Sequence, residues 1–214
     1  MDIPILFRDD RFVVLDKPAG LPVHAGRAGG PSVEDIFPAL SRRRDGPWLA
    51  HRLDTDTAGC LVVALRKAAL IAAQAEFAAG RAAKTYWAVV QNGPLANAGT
   101  LSAPLLKVTQ GRAWKMQVAP GGQPAITDWQ VLGRGRGIAW LELRPRTGRT
   151  HQIRAHCAAL SCPILGDAIY GAPGGALHLL AHAITLALDP PVAAIAPPPG
   201  HMHVMLRHCG WGGD

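Results

Sequence analysis

The stretch His51-Arg52-Leu53-Asp54-Thr55-Asp56-Thr57-Ala58-Gly59 is the densest polar segment of the sequence. It lies between the apolar residues 48–50 and the apolar run 61–65, which is typical of a buried β-strand. Two rigid flanks would hold these polar side chains on one loop, an arrangement that is frequent at active sites. The pattern also fits a simple turn into a strand, in which Asp56 bonds backbone amides. The residues alone leave both interpretations open.

Strand patterns predominate on both sides of this loop. Short apolar runs or an alternation of period two predict strands at residues 5–7, 11–15, 61–65, 85–90, 116–118, 126–132 and 138–143. The connections are mostly too short for repeated βαβ crossovers, which favours an α+β fold with a largely antiparallel, mixed β-sheet flanked by helices. The Gly-rich residues 133–137 lack the lysine of a phosphate-binding loop and predict a hairpin turn. Residues 177–188 are apolar and fit either a helix or a strand.

Helical spacing of apolar residues occurs in two longer segments. Residues 67–79 are Ala-rich and are followed by Gly80, which is typical of the residue just after a helix. Residues 149–160 are the second predicted helix. A shorter helix is predicted after Ser32, whose side chain can cap it, with Asp35 as the partner of an imperfect capping box.

A second polar cluster runs from Thr147 to His156. On a helix, His151 and Arg154 would share one face. A helix N-terminus with arginines nearby binds anions well. An ordinary amphipathic helix with a polar outer face explains the same residues, so this cluster alone does not indicate a site.

The charge balance favours a polyanionic partner. The 214 residues include 22 Lys and Arg against 15 Asp and Glu, a formal net charge of +7. Arginines cluster at residues 42–44, at residues 134 and 136, and between residues 144 and 154. The planar guanidinium donates two hydrogen bonds to one phosphate, so these clusters predict a nucleic-acid surface leading to the polar loop. A solvated basic face is the alternative.

Metal and disulfide chemistry are poorly supported by the sequence. The four cysteines are scattered and form no Cys-x-x-Cys pair. His178 and His182 have the spacing of a helical ligand pair, but no Glu follows His178 and no third ligand is near. We therefore expect no bound metal.

The N-terminal residues do not have the pattern of a signal peptide. The N-terminus lacks a basic segment followed by an apolar run, and no stretch has the roughly 20 apolar residues of a membrane span. We therefore expect a cytoplasmic protein. Residues 190–199 are rich in Pro and Ala and predict an extended connector, and the histidines after it predict a loose surface tail.

Seven segments, in this order, resemble motifs of the RluA-like pseudouridine synthases. They are residues 15–24, 51–59, 84–88, 125–129, 147–154, 164–171 and 182–190. The match spans residues 11–191, so we expect residues 1–214 to form a single catalytic domain with a C-terminal tail at 192–214 and no added RNA-binding domain. The sequence departs from the family pattern at Ala58, where Ser is usual, and at Ala181, where Leu is common. Either Leu179 or Leu180 therefore remains the candidate for the family's pocket leucine.

The resemblance implies an enzyme that isomerises uridine in RNA to pseudouridine, in a central RNA-binding cleft and without a cofactor. It assigns catalysis to Asp54, pairs Arg154 with that carboxylate, and places Tyr86 against the target uracil, where it could assist proton removal from C5. Arg52 matches a position that resembles a wedge for the space left by the flipped uridine. Whether Asp54 attacks the ribose or the base stays open.

The resemblance also implies a wider RNA-binding set beside Arg52: His51, Thr57, Lys84, Arg149, His151 and Gln152. The expected partner is ribosomal or transfer RNA, bound by a monomer. Two other classes of protein would share some of these features. A non-catalytic RNA-binding protein would be expected to have lost Asp54, Tyr86 or Arg154, and none is lost. A metal-dependent phosphodiesterase using Asp54, Asp56 and histidines would be stopped by a chelator.

Overall fold

The computed structural model describes residues 1–26, 29–43, 45–111 and 113–213. Arg44, the last residue of the basic run 42–44, lies outside the described residues. The chain divides into two compact units. Unit 1 comprises Met1–Lys84 and Leu180–Pro198, and unit 2 comprises Thr85–Leu179 and Pro199–Asp214.

Strands predominate, as the sequence pattern predicts. The strands are β1 (Ile5–Arg8), β2 (Phe12–Lys17), β3 (Trp48–Leu49), β4 (Ala58–Ala64), β5 (Ala83–Gln91), β6 (Ala98–Ser102), β7 (Leu105–Gln110), β8 (Ala113–Val118), β9 (Ile126–Gly135), β10 (Ile138–Pro145), β11 (Leu179–Leu186) and β12 (Val192–Ile195). The helices are α1 (Phe37–Leu40), α2 (Lys67–Ala78), α3 (Gln152–Ala159) and α4 (Gly200–His208), with a 3-10 turn at Val33–Ile36 before α1.

Unit 1 is built around β4. All seven residues of this strand are buried, which explains its continuous apolar sequence. It pairs antiparallel with β2 and β3 and parallel with β11, while β1 extends the sheet beyond β2 and β12 pairs with β11. Gly59 has φ +105°, and a Cβ there would lie 2.3 Å from the Ala181 carbonyl oxygen. Only glycine allows β4 and β11 to approach so closely at this point.

Unit 2 contains an antiparallel sheet in the order β5-β10-β9-β6 and a separate hairpin of β7 and β8. The predicted hairpin turn is confirmed: Arg136 and Gly137 both have positive φ, at 52° and 73°, between β9 and β10. One face of the sheet packs on α3 through a buried cluster that includes Leu141, Leu143 and Ile153. The α+β prediction with a mixed, mostly antiparallel sheet is confirmed.

The predicted helices form with one correction. The first ends as expected, with Gly80 at φ +70°. The Ser32 backbone N–H donates to the Asp35 carboxylate at 3.0 Å, as in a capping box. The helix predicted at 149–160 begins only at Gln152, because His151 has a left-handed backbone with φ 51°. His151 and Arg154 therefore do not share a helix face.

The C-terminal residues are more regular than the sequence pattern indicates. The ambiguous segment 177–188 forms strand β11, and the expected connector 190–199 contains β12. The expected loose tail forms α4, whose Met202 and Leu206 are fully buried. The end of α4 touches β9, where a Cβ on Gly133 would lie 1.8 Å from the Cys209 carbonyl oxygen. The prediction of a loose tail is wrong because this backbone contact was not visible in the sequence.

Across the described ranges, we find no helix that combines the length and the apolar character needed to cross a membrane.

Candidate active site

His51 is the first residue of the polar loop and lies where the pairing of β3 with β4 ends. The Ala50 N–H donates to the Val62 carbonyl at 3.0 Å, and the Val62 N–H donates to His51 Nε2 at 3.1 Å. The imidazole thus occupies the place of a strand carbonyl, with its ring 4.9 Å from that of Phe77. Burial, and then the charge of Lys84, lower the pKa of His51 to about 4. The ring is therefore neutral at physiological pH and acts as a hydrogen-bond acceptor.

Lys17 holds the far end of the same loop. Its ammonium donates to the carbonyl oxygens of Pro18, Leu21 and Thr55 at 2.9, 2.8 and 2.8 Å. The Gly20 N–H also donates to the Thr55 carbonyl, at 2.9 Å. An ammonium has three N–H groups, so all of them are satisfied. The loop after Asp54 is thereby fixed to the turn that follows β2.

The buried ammonium of Lys17 is also close to the loop carboxylates. The residue is fully buried, which lowers its pKa to about 8, while the charges of Asp56 and Asp54 act in the opposite direction. Asp54 is half-buried and Asp56 is exposed. The Thr57 N–H donates to the Asp54 carbonyl at 3.1 Å, which closes a turn within the loop. The segment therefore forms a turn that carries the half-buried Asp54 carboxylate, and its catalytic interpretation stays a prediction.

In unit 2, Arg154 is a buried cation held by a carboxylate. Its Nε and one terminal nitrogen donate to the two oxygens of Asp167, each at 2.8 Å. Asp167 also accepts the N–H groups of Ile169 and Tyr170, at 3.0 and 3.1 Å. Burial raises the pKa of Asp167, but Arg154 and these two N–H groups outweigh it and leave the pKa below its usual value. The predicted pairing of Arg154 with Asp54 stays a prediction.

Gln152 organises the loop before α3. Its carboxamide oxygen accepts the Thr147 hydroxyl at 2.7 Å and the Arg149 N–H at 3.0 Å, and its nitrogen donates to the Ile126 carbonyl and the Thr127 hydroxyl, both at 3.0 Å. Gln152 is also buried. Burial and internal hydrogen bonds favour a structural role over the RNA contact expected for it.

His151 joins α3 to the β7–β8 hairpin. Its ring stacks on Trp114 with centroids 4.9 Å apart, and its Nδ1 lies 3.0 Å from the Tyr170 hydroxyl. That hydroxyl accepts the Met116 N–H at 2.8 Å, and the Lys107 ammonium lies 4.7 Å from the Trp114 ring centre. An aromatic side chain flanked by a cation is thus presented beside the start of α3.

The remaining candidate residues differ in burial. Tyr86 is half-buried on β5 and packs against the core cluster of unit 2, while Lys84, whose pKa is lowered by burial, is half-buried in unit 1. Arg149 donates to the Pro124 carbonyl at 3.0 Å. Thr57 is buried, and Arg52 is exposed.

The basic clusters differ in how far their charge is available. Arg146 forms a two-point ion pair with Asp128, and Arg144 pairs with Glu142. Arg42 and Arg43 are exposed. Two of the guanidinium groups assigned to the predicted RNA surface are therefore already paired with carboxylates, which shifts attention to the Arg42–Arg43 segment.

Metal ligation gains no support. His182 lies on β11 and His178 just before it, so the helical geometry that their spacing requires is missing. Their Nδ1 atoms lie 2.9 Å from the carbonyl oxygens of Ala176 and Ala196. Within the part of the chain that the structure describes, no group of three or more His, Cys, Asp or Glu is arranged to hold a metal ion.

Comparisons with known proteins identify the class. Residues 11–159 match the family model described as RNA pseudouridylate synthase. An uncharacterised RNA pseudouridine synthase of Zymomonas mobilis is 36% identical over 204 residues, covering 91% of this chain and 93% of the relative. The ribosomal large subunit pseudouridine synthase D of Xanthomonas campestris is 43% identical over 188 residues, covering 83% of this chain and 54% of the relative.

Solved structures with a similar fold belong to the same class of protein. The solved structure of human RNA pseudouridylate synthase domain containing 4 superposes with a TM-score of 0.82 at 29% identity, covering 95% of this chain and 92% of that one. Human RNA pseudouridylate synthase domain containing 1 gives a TM-score of 0.78, also at 29% identity, covering 92% of this chain and 84% of that one. The chain belongs to the RNA pseudouridine synthase family, whose members are isomerases that act on RNA.

Sequence reasoning found the polar loop but missed two of the residues that support the site. Asp167 lies inside the matching segment 164–171, yet nothing in its neighbours predicts that it holds Arg154. Lys17 lies in the matching segment 15–24, and its bond to Thr55 connects residues 38 positions apart. The available signal for Lys17 was its place, after Asp16, at the end of the apolar run of β2.

Proposed function

We propose that this chain isomerises uridines in structured RNA with Asp54 as the catalytic residue. The observation that carries the assignment is the loop from His51 to Thr57, which is held at its start by the Val62 N–H and near its end by Lys17. A carboxylate on a loop fixed at both ends is positioned before substrate arrives, which favours catalysis. Asp56 lies on the same loop but is exposed, and we assign it no chemical role.

The reaction conserves every atom of the uridine. The bond from N1 to C1′ breaks, the uracil rotates, C5 bonds to C1′, the proton leaves C5, and N1 gains a proton. Asp54 acts as an ionised carboxylate whether it attacks C1′ or the base. Tyr86 packs on the uracil and assists the loss of the C5 proton. The target nucleotide must be flipped out of its stack to reach such a site, and Arg52 fills the vacated space.

Arg154 is proposed to supply the cation that keeps Asp54 ionised. Its bidentate bond to Asp167 supports this role, because a guanidinium fixed on one side can present its remaining N–H groups in a defined direction. Thr57, Lys84, Arg149 and His151 complete the proposed RNA-contacting set.

The substrate is proposed to be ribosomal or transfer RNA, bound in the cytoplasm by a monomer formed of a single catalytic domain. The name of the Xanthomonas campestris relative makes large-subunit ribosomal RNA the first substrate to test. Mapping pseudouridines in RNA from cells with and without this gene would identify the position.

The test of the function uses purified protein and RNA transcribed in vitro, so that all uridines start unmodified. After incubation, the RNA is digested to nucleosides and pseudouridine is quantified by liquid chromatography. We expect pseudouridine in intact RNA, with the same yield when EDTA is present. Shortened RNA whose formation EDTA prevents would instead favour a metal-dependent phosphodiesterase. Intact RNA without pseudouridine, for both ribosomal and transfer substrates, would contradict the proposal.

A further inference from the structure

The start of the polar loop depends on one side-chain acceptor. Strands β3 and β4 pair at Leu49 and Val63, and the Ala50 N–H continues the ladder to the Val62 carbonyl. The next bond of an antiparallel ladder would run from the Val62 N–H to a backbone carbonyl, but His51 Nε2 accepts it at 3.1 Å. The chain can therefore leave the sheet without leaving the Val62 N–H unpaired.

We propose that His51 is a positioning residue, which sets where the Asp54 loop leaves the sheet by accepting the Val62 N–H, rather than a residue that contacts RNA. This inference rests on the proposed function, because positioning has meaning only if Asp54 does the chemistry. Only two residues separate His51 from Asp54. If the loop left the sheet one residue pair earlier or later, the Asp54 carboxylate would move with it.

The environment of the ring supports this role over RNA binding. One nitrogen is used by the Val62 N–H, and the ring lies against Phe77 at the side of α2. The lowered pKa of the imidazole, caused first by burial and then by Lys84, agrees with a neutral acceptor. A neutral, half-buried ring attracts phosphate far less than the exposed guanidinium of the adjacent Arg52.

The chemistry of the acceptor gives a matched set of variants. The oxygen of Gln stands as many bonds from Cα as Nε2 does, so His51→Gln keeps an acceptor at the right reach. The oxygen of Asn corresponds to Nδ1 and falls short of Val62. His51→Leu keeps apolar volume but removes the acceptor. Val13→Ala, which shortens a fully buried side chain in β2, controls for a general loss of stability.

We expect His51→Leu and His51→Asn to lower kcat for pseudouridine formation by about 100-fold, the scale of a misplacement near 1 Å, with KM for RNA unchanged. His51→Gln and Val13→Ala should keep kcat close to the wild-type value. If His51→Leu does not fold, His51→Asn carries the comparison with Gln. The proposal would be overturned if His51→Gln and His51→Asn lost the same fraction of kcat. It would also be overturned if only KM changed, or if His51→Asn kept full activity.

Amide hydrogen exchange at Val62 separates this inference from the proposed function. We expect slow exchange in the wild type and in His51→Gln, and faster exchange in His51→Asn, whatever the enzyme does to RNA. If the wild type makes no pseudouridine but this pattern appears, the proposed function fails while the role of His51 in the loop survives. Slow exchange in His51→Asn would contradict the positioning role directly.

Discussion

Lys17 and Arg154 are buried cations whose charges are stabilised by different groups. A buried charge is costly unless it is hydrogen-bonded or paired. Lys17 has three backbone carbonyl acceptors, whereas Arg154 has the carboxylate of Asp167. Removal of one carbonyl acceptor would require the backbone to move, but a single substitution removes the Asp167 carboxylate from Arg154. The Arg154–Asp167 pair is therefore the more direct test of how the site is held.

We predict that Asp167→Ala lowers the free energy of unfolding by about 3–5 kcal/mol, because it removes the carboxylate that accepts hydrogen bonds from two nitrogens of a buried guanidinium. The control is Asp128→Ala, which removes an equally short two-point pair with Arg146. Arg146 is exposed, so the loss of that pair should lower the free energy of unfolding much less than Asp167→Ala does. Urea denaturation of both variants at neutral pH measures the difference. Similar losses would mean that the burial of Arg154 does not decide its dependence on Asp167.

We expect His51 to contribute to the pH dependence of the free energy of unfolding. Its pKa in the folded protein is about 4, against an ordinary value of 6.5, with burial first and Lys84 second as causes. The unfolded chain therefore binds a proton first as the pH falls, so the contribution is present above about pH 6.5 and is lost progressively towards pH 4. Urea unfolding at several pH values should show a flatter profile for His51→Gln than for the wild type in this window. Parallel profiles would contradict a neutral, buried His51.

At the residue scale, the sequence identified the polar loop because its residues are contiguous. The roles of its members were less accessible. The sequence assigned His51 to RNA contact and did not indicate that its ring nitrogen accepts the N–H of Val62, 11 residues away. Outside this loop, the sequence did not indicate that the buried Gln152 makes two hydrogen bonds with the loop before α3 and two with β9. Such roles depend on partners that only the folded chain brings together.

Elements with strong local signals formed as predicted, and those that depend on tertiary partners did not. Helix α2 and the β9–β10 turn are set by Gly80 and Gly137 at their expected positions. Residues 177–188 have no periodicity that distinguishes helix from strand, and pairing with β4 and β12 decides for strand. Helix α4 was missed because Met202 and Leu206 are buried by packing that the Pro-rich segment before them does not indicate.

The close approach of α4 to β9 gives an element-scale prediction. A Cβ on Gly133 would lie 1.8 Å from the Cys209 carbonyl, so Gly133→Ala must displace the end of α4. We expect a loss of about 1–3 kcal/mol in the free energy of unfolding, as for other overpacked sites. Gly200→Ala, where a Cβ meets nothing within 4 Å, should leave stability unchanged or raise it. Thermal denaturation compares them, and equal melting temperatures would show that this packing contributes little.

For the whole molecule, the net charge of +7 indicates less about RNA binding than does the pairing of individual arginines with carboxylates. Arg144 and Arg146 already have carboxylate partners, while Arg42 and Arg43 are exposed. Composition could predict a polyanionic partner, but the pairing of individual arginines required the structure. RNA affinity should therefore depend most on the 42–44 segment.

We predict that the double variant Arg42→Ser, Arg43→Ser weakens RNA binding and flattens the dependence of log Kd on log salt. The flattening should reach up to about one unit for each phosphate that the variant no longer binds. Extending it to Arg44→Ser should deepen the effect, and turnover at saturating RNA should barely change. The double variant Arg144→Ser, Arg146→Ser removes the same charge as the first pair but should change the slope less. An unchanged slope in the 42–44 variants would remove this segment from the RNA surface.

The central claim is that Asp54 carries the chemistry while the rest of the chain holds it and the RNA. The direct measurement is release of tritium from uridine C5 in labelled RNA, followed for the wild type, Asp54→Asn and Asp56→Asn, with RNA affinity measured in parallel. We predict no release with Asp54→Asn at nearly unchanged affinity, because phosphate contacts dominate binding, and substantial release with Asp56→Asn. Release by Asp54→Asn at the wild-type rate, or equal losses in both variants, would contradict the assignment.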